Sequence, residues 1–501
     1  MSGSVAVYPT GNGRVQVSYL FRPPRAYDRV RRFYPNLYVL FRDFSINRAN
    51  FEVQRNSITI TPDDSSRSIA FKADVYGMAV CRNEKWELEI SPNERFITRT
   101  GNRIYTTLVW KSENNYLISG KFEYILPANA TILEFAPDRK KLTYTLPHRK
   151  IAGKPKTDIQ LRAKPRLMAG TYKIYADPEA SDGAYWAAKT VFKNTGDVPI
   201  YDLRITYKMG EYTEESVAQK YSMVPAKGAV VDAYYPVISS RVAQLRSRTP
   251  IELRMRYEYR DASGKVYSDQ LAERVELLGV NQFEFSNLSD FDRTDSWFDD
   301  FNNARLLAAF VTKNDDAVRQ FAGIVSDASG GVAASSSDQE AQKWLRAAYE
   351  QQLKNNIVYQ TPSGFLTTAK SSGQEIKYPR DVFRDKAGTC VDLAITYAAL
   401  AEAVGLRAHL LLMPGHCFTL IQLPGGNMLP VENTGLSGGE TRMSFEQAIQ
   451  AGARNLKKAR EEGLLYLVEV SRELGEGRIS NPELPPLGTD FLEKLGIRRR
   501  R

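Results

Sequence analysis

The run AGTCVDLAITYAALAEAVGLRAHLLLMPGHCFTLIQLPGGNMLPVENTG, residues 387–435, constrains the fold more than any other part of the chain. From Val391 to Val404, the spacing of Leu393, Tyr397, Leu400 and Val404 predicts a helix with one buried face. Gly405 can take the left-handed conformation at the C′ position and predicts where that helix stops. HLLLM then reads as a buried strand, Pro414-Gly415 as a turn and HCFTLIQL as a second strand. Pro424-Gly425-Gly426-Asn427 predicts a hairpin into MLPVENT. A helix followed by neighbouring antiparallel strands belongs to an α+β domain.

The same run brings together residues with chemistry. Gly388-Thr389 precedes the helix, so Cys390 falls at its N-terminal end. Unpaired backbone N–H groups and the helix dipole favour an anion there, which raises the thiolate fraction. Along the next strands, side chains alternate faces, so His416 and Phe418 point one way and Cys417 and Thr419 the other. A hairpin loop with an odd number of residues puts Glu432 on the His416 face. An even loop puts it on the other face and makes Asn433 the better partner. A thiol, an imidazole and a group orienting the imidazole are the parts of a Cys-His-acid or Cys-His-amide triad. In it the imidazole takes the thiol proton and later protonates a leaving amine. Structural roles are expected for His409 at a strand start, for Tyr397 in the core and for Cys417 as a small apolar filler. Asp392 reads as a first-turn charge favoured by the dipole.

On these residues the block resembles the transglutaminase-like superfamily, of the bacterial cysteine protease type. It has that family's Gly-x-Cys helix start, Ala/Leu-rich helix ending in Gly-Leu, His followed two residues on by an aromatic, and acid-bearing strand. The departures are Glu432 where the family usually has Asp and Phe418 where it usually has Trp. The resemblance is close over about 100 residues. It implies a papain-like α+β domain with Cys390 as nucleophile, His416 as general base and acid, and Glu432 or Asn433 orienting the imidazole. The upstream SGQEIKYPRDVF looks like the family's segment entering the active site, with Gln374 and Tyr378 as candidates for oxyanion or substrate contacts. The substrate class implied is a peptide or protein amide, with hydrolysis expected over amine transfer. The alternative is a catalytically weak, peptide-binding scaffold.

A chain of 501 residues exceeds one hydrophobic core, so several domains are expected. Residues 1–147 read as β-structure, with RVQVSYLF, SITITP, WELEI, NRIYTTLVW and GKFEYILP separated by polar turns. Residues 148–168, rich in Lys, Arg, Gly and Pro, read as a basic linker. Strands at sandwich-like spacing over 169–280 predict an immunoglobulin-like β-sandwich, and FKNTGDVPIYDLRITY resembles bacterial adhesion-type modules. The catalytic domain is expected over 281–480, with helical spacing at 298–312 and 337–355 and a loop at SDASGGVAASSSD. A Pro-containing basic tail closes the chain at 481–501. The expected fold class is thus multidomain α+β, two β-rich domains before a transglutaminase-like one.

Three cysteines, Cys81, Cys390 and Cys417, are too few and odd in number for a disulfide framework. With His148 the only further histidine, no metal or other cofactor is expected. The net charge of +10 is clustered in RPPRAYDRVRR, around residues 149–166 and in the terminal RRRR. Such segments can contact anionic surfaces. No nucleic-acid-binding signature accompanies them, so specific nucleic-acid binding is not expected. No apolar run reaches membrane-spanning length, and MSGSVAVYPTGNG is not a secretory signal. A removed leader would place the chain in the cell envelope; an intact start would place it in the cytoplasm.

Overall fold

The computed structural model describes residues 1–34, 36–46, 50–111, 117–288, 292–361, 364–368, 371–437 and 442–498. Arginines 499–501 of the terminal basic run, and residues 362–363 and 369–370 ahead of Gln374, lie outside them. The protein is multidomain and rich in β-sheet. Its chain divides into two compact units, each assembled from three segments. Met1–Pro165, Asp182–Val237 and Ile251–Val275 form the first; Arg166–Ser181, Ile238–Pro250 and Glu276–Arg501 form the second.

Strands of the first unit follow the alternation of their sequence. In Ser68–Tyr76, Ile69, Phe71, Ala73 and Val75 are buried while their neighbours face outward, as a period of two requires. This strand lies in an eight-stranded sheet built entirely from residues before 126. A longer sheet runs from Thr131–Ala136 through Lys141–Thr145, Lys85–Glu89 and Ala79–Arg82 to Gln219–Val224, Ile200–Met209, Thr249–Arg260 and Val266–Leu278. A three-stranded sheet of Thr157–Ala163, Ala188–Asn194 and Ala229–Tyr234 faces part of it. Aromatic pairs join the two layers: Tyr207 stacks on Tyr234 at 4.8 Å, and Phe192 meets Tyr257 and Tyr259 edge-on at 5.7 Å. Cys81 is packed with Trp86, Leu88 and Leu142, and burial pushes its thiol up to about 11.

Three expectations about organisation are corrected. The division at 147 is bridged, because Cys81 pairs with Met223 and the long sheet takes strands from both sides of it. The basic linker contains a strand, Thr157–Ala163, whose register runs from Thr157 opposite Asn194 to Ala163 opposite Ala188. Its alternating Ile159 and Leu161 were hidden among lysines and arginines that an edge strand carries without cost. The terminal tail is part of the second unit: Leu492 and Ile497 are buried, and Asn481 donates to the Ala309 carbonyl at 2.8 Å.

The second unit packs helices around one central helix and places a sheet beside it. Asp338–Lys354 lies within the expected 337–355 and is capped by Ser337. The 298–312 segment forms two 3₁₀ turns, Trp297–Phe301 and Ala304–Phe310, rather than one helix. Asp316–Ala328, which the sequence reading missed, is a helix capped by Asp315. The sheet order is Met428–Val431, His416–Gln422, Arg407–Met413, Tyr466–Glu469, all antiparallel.

The central helix spans Cys390–Ala403, and every residue from Cys390 to Glu402 is buried. The expectation of a single buried face was therefore too narrow. A helix apolar on all sides needs neighbours on all sides. Here helices Asp316–Ala328, Asp338–Lys354 and Pro379–Asp385 and strands Arg407–Met413 and His416–Gln422 supply them. Tyr397 donates its hydroxyl to the Leu345 carbonyl at 2.8 Å within this core. Gly405, at φ +83°, ends the helix as its lack of a Cβ allows.

Candidate active site

Thr389 is the N-cap of the central helix and Cys390 its first residue. The Thr389 hydroxyl accepts from the Asp392 N–H at 3.4 Å, and the Asp392 carboxylate accepts from the Thr389 N–H at 2.8 Å. This capping box consumes donors of the first turn but leaves the Cys390 N–H without an intrahelical acceptor. Asp392 also accepts from the Lys377 N–H at 2.8 Å. Burial raises its pKa in spite of these bonds. It is a structural acid at the head of the helix.

The structure places Gln374 at the same helix end. Its amide Nε2 donates to the Thr389 hydroxyl at 2.9 Å, from a strand whose register sets Gln374 opposite Phe283. Thr389, only 3% exposed, thus serves two donors through one hydroxyl oxygen. Thr389→Ala should destabilise the second unit by about 1–2 kcal/mol, because both donors lose their acceptor. Thr389→Ser should restore most of that loss in a denaturant titration.

The hairpin decides which of Glu432 and Asn433 meets His416. Thr419 pairs with Val431 and Gln422 with Met428, so the loop is 423–427, an odd number of residues. Continuing that register puts Glu432 opposite Phe418 and on the His416 face. His416 Nε2 and Glu432 Oε2 are 2.7 Å apart. The Cys390 thiol lies near enough to the same imidazole to act on it electrostatically, alongside Glu432. The Phe418 ring stacks against His416 with centroids 5.8 Å apart. Exposure is 6% for Cys390, 23% for the His416 side chain and 4% for that of Glu432, so the thiol and imidazole are open only at an edge.

The electrostatics follow from this burial and pairing. Burial disfavours the imidazolium and is the largest single influence on His416. The influence of Cys390, and the hydrogen bond and charge of Glu432, together outweigh it and push His416 up to about 10. For Glu432, burial favours the neutral acid, but His416 and the N–H and hydroxyl of Thr434 hold the carboxyl below its ordinary value. His409, by contrast, is buried with Nδ1 3.2 Å from the Leu420 carbonyl, and burial lowers its pKa.

Two candidates drop out of the site. Asn433 is fully buried, and its Oδ1 accepts from the Thr419 N–H at 3.2 Å and hydroxyl at 3.0 Å, on the face away from His416. Tyr378 is 1% exposed, stacked on Phe310 at 4.8 Å, with its hydroxyl donating to the Val280 carbonyl at 3.3 Å. It packs the unit's interior and has no opening toward a substrate. Cys417 is buried behind the strand, where loss of solvent raises its thiol well above the ordinary value.

Two residues were missed. Tyr359 is tied down by its N–H to the Leu436 carbonyl at 2.7 Å, beside Gln360, which donates to Gly388 at 2.8 Å. Burial raises the Tyr359 phenol, and the charges of Cys390 and Glu432 raise it further, which places it at the edge of the site. Asn455 donates Nδ2 to Glu432 Oε2 at 2.8 Å from the helix Phe445–Glu462. No sequence signal singled out either, since each is a common residue brought in from a distant element. Among the described residues no group of three His, Cys, Asp or Glu side chains converges as a metal site would. Among them, too, no helix is long and apolar enough to cross a membrane.

No family model matches the chain, and neither does any curated protein. Solved structures with some likeness include a tetra-tandem repeat from the extending region of a large adhesion protein. It is 10% identical, covers 56% of this chain and 50% of that one, and has a TM-score of 0.15. Domains 3–6 of protocadherin gamma B2 are 8% identical over 55% and 45% of the two chains, with a TM-score of 0.13. A "putative protease" from Parabacteroides distasonis is 7% identical over 85% and 65%, with a TM-score of 0.18. The chain thus spans about half the length of the first two. Likenesses this slight assign neither a family nor an activity.

Proposed function

We propose that the second unit is a transglutaminase-like thiol enzyme that transfers acyl groups from amide bonds of a peptide or protein, with water as the usual acceptor. The observation that carries this reading is the position of His416. It is bonded to Glu432 at 2.7 Å and lies near enough to Cys390, the first residue of a buried helix, for the two to interact electrostatically. In this reading the imidazolium is the resting form of His416 at neutral pH, beside the Cys390 sulfur at the helix head.

The Cys390 sulfur attacks the amide carbon, forming a C–S bond and moving the carbonyl electrons onto oxygen. That oxygen is received by the Cys390 backbone N–H, with the Gln374 amide beside it. The C–N bond then breaks and the amine leaves with the proton carried by His416. In the second half, neutral His416 takes a proton from water as its oxygen bonds to the acyl carbon. The C–S bond breaks, the acid departs, and the sulfur and the protonated imidazole are restored for the next cycle. Glu432 holds the imidazole by Nε2 and stabilises its charge throughout. The β-rich first unit, with immunoglobulin-like layers, would then space or present the enzyme.

A glutamine-containing peptide assayed with and without a primary amine tests the acceptor. Ammonia release or chain cleavage that is unaffected by the amine is expected. Stoichiometric incorporation of the amine would show transfer instead of hydrolysis. Neither product, together with an unreactive Cys390, would remove the enzyme reading.

A further inference from the structure

We propose that Asn455 is a positioning residue for this site, holding the Glu432 carboxylate turned so that Oε2 meets His416. The inference rests on the acyl-transfer reading. Glu432 receives four donors: Oε1 takes the Thr434 N–H at 3.0 Å and hydroxyl at 2.7 Å, and Oε2 takes His416 Nε2 at 2.7 Å and Asn455 Nδ2 at 2.8 Å. The Asn455 amide must present its NH₂ here, because its carbonyl oxygen against a carboxylate would be repulsive. Thr434 is two residues from Glu432 and turns with it. Apart from His416 itself, Asn455 is the donor that comes from another element, so it fixes the carboxylate against rotation about its own strand.

A purely architectural role fits less well. The Phe445–Glu462 helix is already tied to this strand by the Glu432 N–H, which donates to the Ala448 carbonyl at 3.1 Å. Gly452 seats the helix against Pro430, where a Cβ would come within 3.0 Å of the Pro430 carbonyl. Three residues further on, that close approach brings Asn455 to Glu432. The titratable groups that sense the Glu432 charge are His416, Tyr349, Tyr359 and Cys417. His416 alone among these four can become a cation, so the state of Glu432 is read chiefly by His416.

The test uses the full chain with Asn455→Ala and the near-isosteric Asn455→Asp. It measures amide turnover, iodoacetamide labelling of Cys390 across pH, and thermal midpoint. For Asn455→Ala a fall of about tenfold in kcat with KM nearly unchanged is expected, as for one lost hydrogen bond to a charge. The alkaline limit of activity should move down in pH, with little change in thermal midpoint. Asn455→Asp keeps the shape but sets a second carboxylate on Oε2, so its loss should exceed that of Asn455→Ala. Wild-type kcat and an unmoved pH limit in both variants, with Cys390 reactive in the wild type, would overturn the role of Asn455 and spare the enzyme reading. An unreactive Cys390 in the wild-type chain would overturn both.

Discussion

Replacing Cys390 by alanine should lower amide turnover by on the order of 10⁴-fold or more and abolish labelling by thiol-directed or acyl probes near neutral pH. The size follows from the role: without the sulfur no covalent acyl intermediate can form, and only binding and oxyanion contacts remain. The other two cysteines are internal controls. Cys81 sits in a core of the first unit and Cys417 on the strand face away from His416, both buried. Cys81→Ala and Cys417→Ala should keep the labelling, at a stability cost of about 1 kcal/mol for a small buried truncation. Mass spectrometry of the labelled chain reads the three variants directly. Equal labelling in all of them would end the nucleophile assignment.

Glu432→Gln should be nearly as damaging, with a loss of about 10²–10⁴-fold in kcat and a smaller change in KM. Glutamine is close in shape but has one acceptor oxygen where the carboxylate has two. Two pairs of donors converge on Glu432, Thr434 on one side and His416 with Asn455 on the other. Whichever way the glutamine amide turns, its NH₂ faces donors. One pair loses its acceptor, and His416 loses the charge that stabilises its protonated form.

The pH dependence has a definite sign. His416 is raised from 6.5 to about 10 in the folded protein, so its contribution to stability is complete below 6.5 and drains away as pH rises to about 10. Glu432 is lowered from 4.5, so its contribution is complete above 4.5 and is lost as pH falls through its folded value. The pair should support the second unit most between those two ordinary values. Urea titrations across pH should show a declining alkaline limb in the wild type that is flatter in Glu432→Gln. Parallel limbs in the two proteins would contradict the pairing.

Much of the site was legible because its signals are local. A cap residue before Cys390, a helical period to Val404, a glycine at 405 and alternation through His416 depend on neighbours within a few positions. Short-range sterics and hydrogen bonding decide such features before any distant segment arrives. The strand at 157–163 was missed for the converse reason: its charged Asp158 and Arg162 face outward only once the strand has paired with 188–194.

The sequence by itself determined that a cysteine opens a buried helix and that a histidine follows on a strand with an aromatic two residues on. It left Glu432 and Asn433 as alternatives, since a one-residue change in loop length reverses every side chain beyond it. Only the tertiary structure decided between them, by closing the hairpin at 423–427. It also buried the central helix on every side, turned Tyr378 into the interior and brought Asn455 and Tyr359 to the site. Those outcomes depend on which distant surfaces pack together, and packing is a property of the assembled chain that no local period encodes.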